Sequence, residues 1–195
     1  MADTITAIAT APGTGAIGIL RLSGPAAVDM ASRLFRPADG RPLEAHRPHT
    51  LVYGALLGPG GEVIDRALAT FSRAPRSYTG EDTAEFQCHG SPMVLQLGLE
   101  AVFAQGARQA GPGEFTRRAF LNGRLDLAQA EAVADLIEAE TPAAVYQAAG
   151  QLSGALSRRV GAIYNGLTDL LAHFHAVLDY PDEDIDPFRA DTIRS

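Results

Sequence analysis

The residues of this sequence whose types could do chemistry are few, and most of their arrangements exclude a reaction. Gly13-Thr14-Gly15-Ala16-Ile17-Gly18 spells G-x-G-x-x-G, a string that in dinucleotide-binding folds opens a helix whose N-terminal amides meet a pyrophosphate. Here the following segment, IGILRLSG, alternates like a strand, and no acid stands at a strand end about twenty residues on. A tight loop between two strands is the better reading. Cys88, the single cysteine, has no base in an evident triad and no lysine beside it, so it reads as a packed strand residue. The five histidines form no metal pattern. His173 and His175 are two apart on a helix and diverge, and His89 diverges from its strand neighbour Cys88. Asp182-Glu183-Asp184-Ile185-Asp186 lacks the glycine and the bidentate glutamate of a calcium loop and reads as a solvated acidic segment. No catalytic residue and no metal ligand is expected in this chain.

All sixteen basic residues are arginine, which excludes a Schiff-base lysine and the lysine of a nucleotide-binding P-loop. A net charge of −7 argues against a self-sufficient nucleic-acid binder, whose phosphate contacts show as a basic excess. One cysteine allows no internal disulfide and fits a reducing, cytoplasmic setting. No apolar run is long enough for a membrane span, and no basic segment precedes the first apolar stretch as in a secretory signal.

The elements that must position these residues are legible as pattern. Thr4 to Thr10 and Ile17 to Leu22 read as strands around the glycine-rich segment. Ser23-Gly24-Pro25 offers a cap and a first-turn proline for a helix to Phe35. Arg36 to Pro48 reads as loop. HTLVYGALL and EVIDRALATF, joined by Gly58-Pro59-Gly60-Gly61, make the strongest hairpin signal. SRAPRSYTGED is a second loop, TAEFQC a strand, and Ser91-Pro92 opens a helix to about Gln105, stopped by Gly106. From Gly113 to Glu140 the text is helix, a turn at Asn122-Gly123, then helix. After Thr141-Pro142 an apolar stripe from Val145 to Val177 predicts one long helix needing partners, which suggests further helices beyond Ser195. The fold class expected is α+β: a mixed-sheet domain over residues 1–117, then the start of an all-α domain over residues 118–195.

Four blocks then stand out: DTITAIATAPGTGAIGILRLSG, SYTGEDTAEFQCHGSP, GPGEFTRRAFLNGRLDLAQAEAVADLI and LDYPDEDID. In order and spacing they resemble the N-terminal part of the MnmE (TrmE) family of tRNA modification GTPases, the third block most specifically. The resemblance implies an N-terminal domain similar to the tetrahydrofolate-binding domain of aminomethyltransferases, followed by a helical domain that a Ras-like GTPase domain interrupts. It implies a homodimer through the N-terminal domain, partnership with the flavoprotein MnmG, and addition of an aminomethyl-type group at C5 of the tRNA wobble uridine. The cofactors implied are 5-formyltetrahydrofolate or a related reduced folate, with GTP, magnesium and potassium in the full-length parent. The sequence departs from the family by ending before the GTPase domain and the terminal cysteine.

Carried onto matching positions, the resemblance assigns folate contacts to Arg21, Glu85 and Arg124. The types suit the ligand. A pterin shows an N3–H and a 2-amino group side by side, an edge that one carboxylate accepts bidentately, and its acidic tail needs the donors arginine supplies. Without the resemblance each would read as a surface charge. Two other readings remain open at this point: a self-contained folate-dependent aminomethyl transferase, and a dimerisation module without folate affinity.

Overall fold

The computed structural model describes residues 3–179. β1 (Ile5–Ile8) and β2 (Ile17–Ser23) pair antiparallel with Ile5 opposite Ser23, and no helix opens in the glycine-rich segment between them. The G-x-G-x-x-G string is therefore the end of a strand-to-strand loop, with its Ile17 and Gly18 already in β2. α1 (Ala27–Leu34) follows, then β3 (Phe35–Pro37), a single 3-10 turn at Leu43–Ala45, and the hairpin of β4 (Val52–Leu57) and β5 (Val63–Ser72). β6 (Thr83–His89), α2 (Pro92–Ala104), β7 (Arg108–Gln109) and α3 (Glu114–Leu121) complete the first unit.

The seven strands form one sheet in the order β3-β4-β5-β6-β2-β1-β7. Every pairing is antiparallel except β1 with β7, which makes the sheet mixed, as the fold class requires. Alternation sets its two faces. On β6, Ala84, Phe86 and Cys88 are buried with the residues of α1 and α2, while Thr83, Glu85 and Gln87 lie half-buried on the other face. Leu20, Leu22, Val28, Leu34, Leu95 and Val102 fill the helix-covered side, and the rings of Phe35 and Phe86 stack at 5.9 Å. Burial of such side chains contributes about 1.5–3 kcal/mol each.

Three local expectations are corrected. Ser23 does not cap α1: its hydroxyl bonds Thr79 and Glu81, the helix begins at Ala27, and the Ala26 N–H goes to Thr4 Oγ1. β3 takes the end of the predicted helix, Phe35, and the start of the segment read as loop, and β7 forms where no element was expected, because β4 and β1 offer them open ladders. The predicted single helix after Pro142 is two helices, α5 (Pro142–Leu152) and α6 (Ala155–Asp179). Gly154 between them takes φ 79, the left-handed conformation that ends a helix, although the apolar stripe runs on across it.

The chain divides into two units, Met1–Leu125 and Asp126–Ser195. The sequence placed this change after residue 117, whereas α3 lies wholly in the first unit. In the second, α4 (Leu127–Ile137) starts at a reciprocal cap in which Asp126 accepts from the Gln129 N–H and Gln129 accepts from that of Asp126. α5 starts on Thr141, which accepts from the Ala144 N–H, with Pro142 in its first turn. Leu156, Val160, Ile163, Leu167, Leu171 and Phe174 of α6 are all exposed. No helix among the described residues is long and apolar enough to cross a membrane. The acidic run Asp182–Asp186 and the end of the LDYPDEDID block lie outside the described residues.

Candidate functional site

The β2–β6 ladder sets Arg21 opposite Glu85, on the sheet face turned away from α1 and α2. Arg21 donates through Nε to Glu85 Oε1 at 2.6 Å, and the side chains keep 33% and 25% of their exposure. The pair is thus shielded on one side and open on the other. Two rings frame the guanidinium, Phe115 of α3 at 5.6 Å and Tyr78 of the 73–82 loop at 5.9 Å from centroid to Cζ. The Tyr78 hydroxyl is in turn tied to Thr116 Oγ1 at 3.0 Å. Among the described residues, Glu85 Oε2 and the two terminal nitrogens of Arg21 have no hydrogen-bond partner, so the pair retains both acceptor and donor capacity.

Arg124 follows the turn that closes α3. Asn122 anchors that turn by donating from Nδ2 to Thr79 O at 2.7 Å, and Arg124 N–H returns to Ala119 O. Gly80, at φ 76, leaves room there: a Cβ on it would stand 3.0 Å from Asn122 Cβ and 3.2 Å from Arg124 Cγ. The Arg124 stem therefore lies on the same loop that brings Tyr78 to Arg21. No hydrogen bond or ion pair joins Arg124 to Arg21 or Glu85.

A larger charged cluster, which the sequence reading missed, holds α3 and this loop in place. Arg118, largely buried, donates to Glu81, to Glu114 and to both the carbonyl and the carboxylate of Asp3. Arg108 forks onto both oxygens of Glu114 and reaches Asp3 at 2.6 Å. Glu81 also accepts from Ser23 at 2.7 Å, joining the cluster to β2. Hydrogen bonds from Arg108, then Arg118, hold the Asp3 carboxyl down at about 2. The Arg108 contact, against partial desolvation, does the same for Glu114, also to about 2. The only local sign of this network was the i,i+4 spacing of Glu114 and Arg118.

Cys88 is buried, and burial first, with the charge of Asp65 second, pushes its thiol up to about 12. A thiol so raised is no nucleophile near neutral pH. His89 pairs through Nδ1 with Asp65 Oδ1 at 2.8 Å. Among the described residues no group of three or more His, Cys, Asp or Glu is placed to hold a metal ion.

Fold and site together define a mixed-sheet α+β unit with an arginine–carboxylate pair on its open face, joined to a helical unit. Residues 4–124 match the family described as GTP-binding protein TrmE N-terminus, and residues 127–195 match the MnmE helical domain. The chain belongs to the MnmE (TrmE) family. It is 55% identical over 194 residues to a tRNA modification GTPase MnmE of Thermus thermophilus, covering 98% of this chain and 44% of that protein. It is 52% identical over 184 residues to that of Symbiobacterium thermophilum, covering 94% of this chain and 40% of the relative. The Clostridioides difficile protein of that name is 44% identical over 192 residues, 98% of this chain and 42% of the relative. The chain thus spans about two fifths of the length of these relatives.

Proposed function

We propose that this chain is the folate-binding and dimerising part of a GTPase that modifies the wobble uridine of tRNA. The observation that carries the folate reading is the Arg21–Glu85 pair, framed by Phe115 and Tyr78. A pterin edge would donate to the unpartnered Oε2 and the remaining lone pairs of Glu85. The aromatic rings suit the flat faces of the ligand. Arg21's terminal nitrogens and Arg124, whose side chain has no partner among the described residues, would receive the formyl oxygen and the acidic tail. A reduced folate of the 5-formyltetrahydrofolate type would supply the one-carbon unit. The chain's residues bind and orient it.

The wider reading is supported by the name the relatives share, tRNA modification GTPase. It comprises GTP hydrolysis with magnesium and potassium, partnership with the flavoprotein MnmG, an aminomethyl-type group added at C5 of the uridine, and a cytoplasmic homodimer formed through an N-terminal domain of residues 1–117. These 195 residues contain no lysine and hence no P-loop, so we expect no GTP affinity from them alone. Calorimetric titration with 5-formyltetrahydrofolate tests the core of the proposal: saturable binding supports it, and its absence leaves a purely structural module. Sedimentation of the chain at tens of micromolar tests the dimer, which a clean monomer would refute.

A further inference from the structure

A hollow of about 550 Å³ lies between the segment that enters β4 and the segment that leaves β5. Arg47 and His49 come from the first, Arg73 and Arg76 from the second, and no carboxylate lines it. The acid that reaches a lining residue is Asp82, which takes Arg73 Nη1 at 2.6 Å and the Ala74 N–H at 2.8 Å. Three guanidiniums against one carboxylate leave two uncompensated positive charges in a chain whose net charge is −7. Arg47 and Arg76 have no side-chain hydrogen bond or ion pair among the described residues.

The walls are braced. His49 holds φ 62, a backbone conformation that a non-glycine residue keeps only where its surroundings impose it. Its N–H donates to Phe71 O at 2.9 Å, and its Nδ1 sits 3.1 Å from Ser72 Oγ, which ties the first segment to the end of β5. The Thr50 hydroxyl folds back onto Arg47 O. Seven of the eight lining residues are exposed, and the hollow holds no aromatic ring apart from the His49 imidazole. A site that is shallow, basic and without a platform for stacking recognises charge and spacing, not a base.

We infer that this hollow seats the phosphodiester backbone of RNA, with Arg47 and Arg76 as the principal phosphate contacts. The inference rests on the tRNA-modifying reading above. It also resolves an apparent conflict with the acidic composition, since the positive charge is local. The segment Arg73–Arg76 continues directly into the loop that bears Tyr78, so RNA seated here would lie along the loop that frames the proposed folate site.

The test uses the full-length protein with a fluorescently labelled unmodified tRNA, followed by anisotropy between 50 and 200 mM salt, values at which phosphate contacts separate by slope. Arg47→Ala with Arg76→Ala should weaken binding about tenfold and flatten the plot of log affinity against log salt by roughly 0.7–0.9 per arginine. Arg36→Ala, an exposed arginine outside the hollow, should leave the slope unchanged. Affinity for 5-formyltetrahydrofolate should be unaltered in both variants. A double variant with wild-type RNA affinity and slope overturns the inference while leaving the folate reading intact. So does a variant that binds RNA normally but no longer prefers a triglutamylated folate over the monoglutamate, because the hollow would then serve a carboxylate tail. A parent that binds folate but no RNA overturns it as well.

Discussion

Arg21 and Glu85 stand 64 residues apart in the chain and meet at 2.6 Å across the β2–β6 ladder. The contact uses Nε and one carboxylate oxygen, so the carboxylate is oriented before any ligand arrives. Its second oxygen remains available for the pterin edge. Arg21 thus has two tasks, holding Glu85 and presenting its terminal nitrogens.

Glu85→Gln keeps the shape but turns one acceptor into a donor facing donors. Hydrogen bonds to charged groups contribute ~1.5–3 kcal/mol, so affinity for 5-formyltetrahydrofolate should fall roughly tenfold to a few hundredfold. Calorimetry beside a melting curve checks this. Unchanged affinity in a folded variant would place the pterin elsewhere.

Arg124 has no planar partner among the described residues, and its stem rests on Gly80. As a point charge toward the acidic tail it should tolerate Lys within about twofold, while Arg124→Ala loses roughly two- to fivefold, the range of a solvent-screened pair. Gly80→Ala should mimic the alanine variant, since its Cβ would displace the arginine stem. If Arg124→Lys weakens folate as much as Arg124→Ala, the contact is bidentate and the point-charge account fails.

Gly24 has φ 132, and a Cβ there would lie 2.6 Å from Asp3 O and 2.7 Å from Thr4 Cα. Both obstacles are backbone, so neither side can yield cheaply. Gly24→Ala should cost about 2–4 kcal/mol, measured as a shifted urea midpoint at constant slope. A loss below about 0.5 kcal/mol would show that β1 shifts freely.

The cluster around Arg118 should be visible in acid. Glu114 titrates at about 2 in the folded chain instead of its ordinary 4.5, chiefly through Arg108. A depressed carboxylate stabilises the fold above its unfolded value, and that stabilisation is lost as pH falls from 4.5 toward 2. Glu114→Gln should therefore melt lower than the parent at neutral pH, with the gap closing across that window. A gap independent of pH would mean that packing, not charge, sets the effect.

The hairpin of β4 and β5 was legible because both arms alternate and a glycine-proline turn joins them. Helix α2 was legible for its proline start and glycine stop. β7 was not, since two residues carry no period and become a strand only by pairing with β1, about a hundred positions earlier. The Ser153-Gly154 break was hidden by an apolar stripe that continues through it. Of the site, the residue types were readable but not their meeting. Register places Arg21 against Glu85, and register is a property of the assembled ladder. Glu81, Asp3, Arg108 and Arg118 were invisible as a group for the same reason.

Asp3 waits for Arg118. The two are 115 residues apart, and β1 also awaits its parallel neighbour β7. During synthesis at ~5–20 residues per second, the first strand leaves the ribosome on the order of ten seconds before these partners exist. In that interval it can close only the hairpin with β2, and its outer edge stays open to other nascent chains. A bulky fusion placed directly before Asp3 would interfere at the last step of domain closure, not at the first.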